Sequence, residues 1–314
     1  LTPLTSLASG AAATVVSAAP SDPVWGKPEK PDKKLQKLVD ERIKAFRGDV
    51  GVYVRHLPSG RTAVSRPDEL FPTASQIKVA IMLALFDRFE RGELSYHQYM
   101  TYDGSTIYQG KNDDILSRFK IGETIRLSKL IMLMLTISDN TASRWLQDLA
   151  GGGGRINGVL AAHGFTNLRI NSRTPGREKD YEAWGWGQTT PREMCRLFAL
   201  IRANRAVSPA ASEEMYRILT RIYWDGEALS RIPPHVQAAS KQGALDRSRS
   251  ETVLVNAPGG DYVFSVITKN QENQSWEDGN DGFVLIRDLS GMFWDYFEPR
   301  PGWKPSKKAW AWDR

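Results

Sequence analysis

The residues with the clearest capacity for chemistry are a serine and a lysine that precede an apolar segment. Ser75 and Lys78 are followed by residues 79–86, which include no Gly, Pro or charged residue. This run predicts a buried helix, and Pro72 and Thr73 indicate where it begins. Side chains three residues apart share a helix face. Because an amine of lowered pKa can deprotonate a serine hydroxyl, the pair predicts an activated nucleophile.

A single Ser-x-x-Lys pattern carries little information. It also occurs at Ser117 and Lys120, where a capping serine beside a solvated lysine is the usual interpretation. Two further motifs follow in the chain: Ser-Asp-Asn at residues 138–140, after an apolar run, and Lys-Gln-Gly at residues 241–243, in a predicted strand. Taken singly, the first also suits a helix-capping turn and the second an exposed sheet edge.

The order and separation of the three motifs resemble those of class A β-lactamases and related penicillin-recognising serine hydrolases. The similar layout covers residues 33–298. The resemblance implies an acyl-enzyme mechanism in which Ser75 is the nucleophile and Lys78 accepts its proton. It also implies that Ser138 relays a proton to the leaving nitrogen. Lys241 would lower the pKa of the first lysine by like-charge repulsion.

The resemblance further implies the groups that hold a substrate. Asn140 would donate a hydrogen bond to the substrate amide, and Gly243 would let the substrate lie close to its strand. The backbone N–H groups of Ser75 and Ala244 would form an oxyanion hole. Asp139 is expected to hold its loop through backbone N–H groups rather than to touch substrate.

Two residues are expected to lie at or beside the binding site for a substrate carboxylate. Arg249, on the adjoining strand, would bind that carboxylate with two hydrogen bonds, although an exposed salt bridge suits the sequence equally well. Gln242 stands where the family usually has Thr or Ser, which removes a hydroxyl and adds bulk. We therefore expect an altered carboxylate site.

A larger departure concerns the glutamate that activates the deacylating water in class A enzymes. Alignment without gaps back from Thr-Thr-Pro at residues 189–191 places Thr174 at that position, and threonine cannot act as a general base near neutral pH. Glu178 and Glu182 are the nearby candidates for the base, although neither lies in the family motif. The same loop carries Trp186, an unusual residue there.

Three functions follow as hypotheses from a complete acylating set and an altered deacylating set. The first is a β-lactamase with altered deacylation. The second is a peptidoglycan D,D-peptidase or an esterase-like serine hydrolase. The third is a non-catalytic homologue that binds the cell envelope. The expected partner is accordingly a small β-lactam or a peptidoglycan peptide.

Composition argues against other classes of protein. The 314 residues include 42 Lys and Arg against 36 Asp and Glu, without a long basic block, so nucleic-acid binding is not predicted. The four histidines lack metal-ligand spacing, and Cys195, the single cysteine, is expected to be buried and inert. We expect no metal and no cofactor. The glycines at residues 151–154 predict a flexible turn between helices rather than a phosphate-binding loop.

We expect an α/β protein of the α+β type, with an antiparallel sheet flanked by helices and an all-helical second lobe. Export to the periplasm or outside, the absence of a membrane span and a monomeric state are also expected. The site should lie in the cleft between the lobes. The expected segments are a signal remnant or flexible linker (1–32), a catalytic domain (33–298) with an α/β lobe (33–68 and 222–298) and an all-α lobe (69–221), and a Trp-rich tail (299–314).

Local patterns predict several elements of these lobes. Asp32 is the expected cap of an amphipathic helix, and Thr190 opens another helix through a capping box with Glu193. Alternating residues predict strands at 50–56 and 61–65. Three further strands are predicted at 236–244, 251–256 and 262–269, and a closing helix at 281–296. The tail tryptophans Trp303, Trp310 and Trp312 are expected to pack on the body of the protein.

Overall fold

The fold is that of a computed structural model, which describes residues 24–109, 114–299 and 303–306. The expectations for residues 1–23 and for Trp310 and Trp312 lie outside the described residues. The strands in chain order are β1 (Lys30–Pro31), β2 (Asp49–His56), β3 (Arg61–Ser65), β4 (Phe71–Pro72), β5 (Tyr99–Thr101), β6 (Thr124–Arg126), β7 (Arg169–Ile170), β8 (Gly187–Thr189), β9 (Ala238–Leu245), β10 (Ser248–Val255) and β11 (Tyr262–Lys269).

The helices are interspersed among these strands, and most of them lie in the middle of the chain. They are α1 (Lys33–Ile43), α2 (Ile77–Glu90), α3 (Leu127–Thr136), α4 (Asn140–Leu149), α5 (Gly152–Ala162), α6 (Glu178–Trp184), α7 (Pro191–Arg202), α8 (Pro209–Leu219) and α9 (Asp281–Phe297). Within the described part of the chain, no helix is both long and apolar enough to cross a membrane. The mixed α/β fold class is as expected from the sequence.

The main sheet has six strands in the order β1-β3-β2-β11-β10-β9. The β1–β3 pair is parallel and the other pairs are antiparallel. β9 is the last strand of this sheet, and its register places Lys241 opposite Thr252 on β10. The strand that carries the third motif therefore lies at an edge of the sheet.

Each face of the main sheet is covered by helices. One core contains residues of α1, α9 and the sheet, among them Leu35, Phe264 and Phe293. A second core is formed mainly by α2 to α5, α7 and α8, and α7 packs against β2, β10 and β11. Because β10 and β11 are covered on both faces, nearly all of their residues are buried, and their sequences contain little alternation.

α2 is the central helix of the second core. Its first ten residues, Ile77 to Phe86, are all buried, so no polar face is available to mark the helix in the sequence. Lys78 is one of these buried residues and is fully covered. Since a buried amine needs hydrogen-bond partners or a lowered pKa, the packing of α2 determines the chemistry of this side chain.

Local capping signals are confirmed in part. Asp32 caps α1 by accepting hydrogen bonds from the N–H groups of Lys34 and Leu35. Thr190 caps α7 by accepting from the Glu193 N–H. The other half of the predicted capping box is wrong, since the Glu193 carboxylate accepts instead from backbone N–H groups at residues 166–168.

Two other local predictions are wrong. Pro72 does not begin the Ser75 helix, because it belongs to β4 and pairs with Gln188 of β8. Thr73 makes no side-chain cap, and a short 3₁₀ turn, Ala74–Gln76, precedes α2. Of the four glycines only Gly151 precedes α5; Gly152, with a left-handed φ of +76°, begins the helix, and the next two lie inside it.

Part of the tail lies against the body of the protein. In the described segment 303–306, Lys304 Nζ donates to the Asp295 carboxylate of α9 at 2.7 Å. Trp303 lines a surface groove together with residues such as Ile232 and Val236. This part of the tail therefore packs on the α/β lobe, as expected.

Candidate active site

Ser75 lies in the 3₁₀ turn Ala74–Gln76, immediately before the buried helix α2. The preceding residue, Ala74, has φ +45°, in the left-handed region that residues with a Cβ atom rarely adopt. Such strain persists only where surrounding contacts maintain it, and it concentrates at functional sites. The strained turn leaves Ser75 half-buried in the wall of a cleft.

Lys78, one helical turn further on, is held by the second motif. Its Nζ atom donates to the Ser138 carbonyl oxygen at 2.6 Å, to Ser138 Oγ at 3.0 Å and to Asn140 Oδ1 at 2.6 Å. Among the described residues, Lys78 Nζ donates hydrogen bonds to these three acceptors and none to Ser75 Oγ. The structure thus brings the first two motifs together through the amine of Lys78.

Ser138 connects the two lysines of the site. Its backbone has φ +65°, a second strained residue next to the cleft. Ser138 Oγ lies 3.0 Å from Lys78 Nζ and 3.1 Å from Lys241 Nζ. Because a hydroxyl has two acceptor lone pairs and one proton, two amine donors leave that proton for a third acceptor. Ser138 Oγ is therefore within hydrogen-bond distance of both lysines, an arrangement through which a proton can pass.

The Ser-Asp-Asn loop is held from outside the motif. The Asp139 carboxylate accepts from the N–H groups of Ala142 at 2.7 Å and Leu116 at 2.9 Å, which is the structural role expected for it. The Asp114 carboxylate accepts from the N–H groups of Asn140 and Thr141, both at 2.8 Å. Sequence reasoning missed Asp114, because only the folded chain brings it to the start of α4.

Burial changes the acidity of both lysines. Burial lowers the pKa of Lys78 to about 7, although the negative charges of Asp114 and Asp139 act in the opposite direction. Burial and then the positive charge of Lys78 hold the pKa of Lys241 well below its ordinary value. A lysine with a pKa near neutrality has a substantial neutral fraction, which can accept a proton.

β9 carries the third motif, Lys-Gln-Gly, and forms one wall of the site. Lys241 Nζ also donates to the backbone oxygen of Gln242 at 3.1 Å and to its Oε1 at 2.9 Å, so the unusual glutamine is a partner of the lysine. A Cβ atom on Gly243 would lie 2.7 Å from the Thr73 oxygen and 3.0 Å from Ala74 Cβ. Glycine therefore lets β9 approach the Ser75 turn, a contact that the sequence did not predict.

The cleft has a volume of about 790 Å³. Ser75, Ser138, Asn140, Gln242, Gly243 and Ala244 line it, and so do residues that sequence reasoning missed, including Tyr108, Trp224, Glu227 and Trp276. Most of the predicted site residues thus converge on one cavity, with Lys78 and Lys241 buried behind its wall. Among the described residues, no group of His, Cys, Asp or Glu side chains is arranged to hold a metal ion.

Arg249 does not lie where a substrate carboxylate would need it. The side chain is fully buried, and its guanidinium donates to the backbone oxygens of Ser248 and Ser275. The guanidinium carbon also lies 4.4 Å from the centroid of the Trp276 ring and 4.7 Å from that of Phe283. The direction of a strand side chain depends on packing, which the sequence motif did not specify.

A buried carboxylate behind β9 is a further residue that the sequence did not indicate as part of the site. Glu251 is fully buried and accepts from Ser240 Oγ at 2.5 Å and from the Ala228 N–H at 2.7 Å. Burial raises the pKa of Glu251 to about 8, and the negative charge of Glu227 adds to the effect. Its charged form would also favour the protonated form of Lys241.

The three candidates for the deacylation position do not contact Ser75. Thr174 Oγ1 donates to the Ser172 oxygen at 3.1 Å, and a Cβ atom on Gly153 would lie only 1.7 Å from it. The threonine is therefore directed toward α5. Glu178 and Glu182 line a different cavity, which shares only Tyr108 with the Ser75 cleft among the described lining residues.

Trp186, from the loop that carries Thr174, lies close to Lys78. The centroid of its ring lies 5.8 Å from Lys78 Nζ, and it contacts Tyr108 edge-on at 5.7 Å between ring centroids. An aromatic ring offers a buried amine a cation–π contact but no proton-accepting oxygen. The side chain next to the lysine on this side is therefore apolar.

Comparison with known proteins agrees with this geometry. The family model described as "Beta-lactamase enzyme family" matches residues 30–297. Beta-lactamase VEB-1 of Pseudomonas aeruginosa is 20% identical over 268 residues, which are 82% of this chain and 89% of that protein. A beta-lactamase of Streptomyces fradiae is 26% identical over 299 residues, 90% of this chain and 85% of that protein.

Solved structures give the same result. PBP-A has a TM-score of 0.76 at 25% identity, covering 87% of this chain and 99% of its own. A point mutant of PBP-A, solved as an acyl-enzyme complex with penicillin G, has a TM-score of 0.76 at 26% identity, covering 87% and 100%. With its two lysines meeting at Ser138 beside a strained serine turn, the chain belongs to the β-lactamase enzyme family, as a class A-like, penicillin-recognising serine hydrolase.

Proposed function

We propose that the protein reacts with β-lactams through a covalent acyl-enzyme at Ser75 and hydrolyses that acyl-enzyme slowly. The convergence of Ser75, Ser138 and the two buried lysines on one cleft supports the first half of this proposal. The apolar ring of Trp186 beside Lys78 supports the second half.

Acylation begins when neutral Lys78 accepts the proton of Ser75 Oγ. The oxygen then attacks the β-lactam carbonyl carbon, and a tetrahedral oxyanion forms. When the ring C–N bond breaks, Ser138 gives its proton to the leaving nitrogen and regains one from Lys78 across the 3.0 Å contact. The step consumes no external proton, and it leaves an ester on Ser75 and a neutral lysine.

The tetrahedral oxyanion requires hydrogen-bond donors that are already in place. We assign these to the backbone N–H groups of Ser75 and Ala244, which line the cleft on opposite elements. Loss of one such donor typically costs about 3 kcal/mol of transition-state stabilisation. Asn140, whose Oδ1 accepts from Lys78, has its amide NH₂ available for the substrate amide.

Deacylation needs a base that activates a water molecule. Four carboxylates line the described part of the cleft, those of Asp114, Asp139, Glu227 and Asp246, and the first two are occupied by backbone N–H groups. Thr174 cannot take a proton near neutral pH, and its hydroxyl is directed toward α5. The groups that remain are neutral Lys78, Glu227 and Asp246, and none of them lies in the loop that carries the activating glutamate of class A enzymes. We propose that these groups activate water inefficiently, so the ester persists.

The second candidate function is a serine hydrolase of peptidoglycan peptides or esters. The similarity to PBP-A, a point mutant of which was solved as an acyl-enzyme complex with penicillin G, supports an acyl-enzyme for this candidate as well. The first chemical step would be the same, with a peptide or ester carbonyl in place of the β-lactam. The two functions differ in the rate at which the acyl group leaves the serine.

Benzylpenicillin followed by intact mass spectrometry tests the proposal. We expect one adduct with the mass of the whole antibiotic, retained for minutes or longer, and no adduct in Ser75→Ala. Rapid loss of the β-lactam without an accumulating adduct would contradict slow deacylation. Absence of both adduct and turnover, with cell-wall binding retained in Ser75→Ala, would identify a non-catalytic binding protein instead.

A further inference from the structure

A second cavity, here called the side cavity, adjoins the Ser75 cleft. Its volume is about 670 Å³, and its walls come from Tyr108, from Arg144 on α4, from residues 171–175, and from α6 and Trp186. Tyr108 lines both cavities, so this residue lies between the Ser75 cleft and the side cavity. Acylation as proposed above does not use this space.

α6 contributes negative charge to the side cavity. Glu178 and Glu182 both line it and are four residues apart, which places them on one face of the helix. Glu178 Oε1 accepts from the Gly176 N–H at 3.0 Å. Within the described residues, neither carboxylate forms an ion pair, because the nearby Arg177 pairs with Asp180 at 3.0 Å. Two negative charges thus remain for a ligand.

α4 contributes positive charge from a separate element. Arg144 Nη1 donates to the Ile107 oxygen at 2.9 Å, and no carboxylate among the described residues pairs with the guanidinium. The neighbouring Arg173 is different, since it pairs with Asp148 at 2.8 Å. The remaining N–H groups of Arg144 suit a carboxylate, whose two oxygens match the guanidinium fork.

The rest of the side cavity is apolar and aromatic. Tyr108, Pro175, Tyr181 and Trp186 line it, and the Tyr181 side chain is 46% exposed. An exposed aromatic ring in a cavity wall suits the aliphatic part of a ligand. The cavity therefore combines apolar surface with a cationic and an anionic binding point on different elements.

We propose that the side cavity binds a zwitterionic amino-acid group at the end of the substrate's acyl chain. The ligand's ammonium lies against Glu178 and Glu182, its carboxylate against Arg144, and its alkyl part against the aromatic rings. A ligand with only one of these charges leaves one protein charge without its partner. The inference rests on the proposed acyl-enzyme at Ser75, since that ester places the acyl chain in the cleft.

Four penicillins that differ only at the end of the side chain test this inference. The side chains are α-aminoadipoyl, with both charges, adipoyl, with the carboxylate, 6-aminohexanoyl, with the amine, and hexanoyl, with neither. The rate of Ser75 acylation at limiting concentration is measured by intact mass spectrometry. We expect the α-aminoadipoyl compound to react about fivefold faster than the hexanoyl compound, because two partly exposed ion pairs form.

Charge variants assign that preference to the side cavity. In Glu178→Gln/Glu182→Gln the advantage conferred by the amine should disappear, and in Arg144→Gln the advantage conferred by the carboxylate should disappear. Glu41→Gln, on the exposed face of α1, is the matched control and should keep the full rate ratio. Ratios within one protein are compared, so a change in overall rate does not affect the result.

The outcomes separate this inference from the proposed function. Adducts that form at equal rates with all four penicillins would overturn the side-cavity inference and leave the acyl-enzyme intact. A preference that survives in both charge variants would also overturn it. Absence of an adduct with every compound would overturn the proposed function and this inference together.

Discussion

At the scale of single residues, the reactivity of Ser75 depends on the protonation of Lys78. Burial places the pKa of Lys78 at about 7, so the neutral, proton-accepting form increases as the pH rises through that value. We expect the acylation rate to rise about tenfold per pH unit below pH 7 and to level off above it. The rate of benzylpenicillin adduct formation between about pH 5 and about pH 9 measures this dependence.

Lys78→Arg is the matched control for the pH profile. Arginine keeps a positive charge but does not lose its proton in this range, so the variant should acylate poorly at every pH. A wild-type rate that does not change with pH would show that Lys78 does not limit proton transfer. A midpoint near the ordinary lysine pKa would show that burial does not control the amine.

Thr174 illustrates how an aligned position differs from a spatial one. Its side chain lies against Gly153 of α5 and not beside Ser75, so Thr174→Glu should change the adduct lifetime by less than about twofold. The variant should also be less stable by about 2 kcal/mol or more, since it buries an unpaired carboxylate. Intact mass spectrometry and thermal unfolding measure the two effects. Thr174→Val, of similar shape, controls for the loss of the hydroxyl.

An adduct that decays tenfold faster in Thr174→Glu would contradict this expectation. The carboxylate would then reach the ester despite the direction of the threonine. Such a result would also mean that the loop at residues 171–177 can move toward the cleft.

At the scale of elements, the contact between β9 and the Ser75 turn determines whether Lys241 lies near the nucleophile. Gly243→Ala places a methyl group within 2.7 Å of the Thr73 oxygen, so either β9 or the strained turn must move. A displacement of about 1 Å in a catalytic group can cost about 100-fold in rate. We therefore expect acylation to fall at least tenfold, measured as the rate of adduct formation.

Gly158→Ala on α5 is the control for this glycine. It is exposed, and a Cβ atom there meets nothing within 4 Å. Because alanine is the better helix former, this variant should gain about 0.5–1 kcal/mol and keep its acylation rate. A fully active Gly243→Ala would mean that the close approach of β9 is not needed.

At the scale of the whole molecule, the buried Glu251 links stability to pH. Its folded pKa of about 8 exceeds the ordinary value of 4.5, so the folded state keeps a proton that the unfolded state loses between these values. The contribution of protonated Glu251 to the free energy of unfolding is therefore fully present below about pH 4.5 and is lost as the pH rises to about 8. Glu227 and Lys241 are the charged neighbours that modulate this effect.

Glu251→Gln should remove much of this dependence. Glutamine keeps the shape and an acceptor oxygen for the Ala228 N–H but cannot ionise. We expect wild type to lose at least about 1.4 kcal/mol relative to the variant between pH 5 and pH 8, since that amount corresponds to one pKa unit. Urea unfolding at both pH values measures the difference. Equal pH dependence in both proteins would contradict a raised pKa at this residue.

The two lobes of the molecule differ in how far local sequence predicted them. Local residue patterns and capping residues predicted β2, β3, β9 to β11, α1 and α9 with small errors at their ends. The start of α2 was misplaced, because Pro72 pairs with β8, which lies more than a hundred residues away in sequence. Gly152 was assigned to a turn, because a helix formed by glycines is stabilised by packing and not by local preference.

Residue types and their order were enough to indicate a serine nucleophile, two lysines and the family chemistry. Each motif is local, and the separations between the motifs are typical of the family. Distant parts of the folded chain determined the rest. They turned Arg249 inward and Thr174 toward α5, and they placed Asp114, Trp186 and Glu251 around the lysines. The direction of a side chain and the charge it meets depend on packing between remote segments, which no local pattern records.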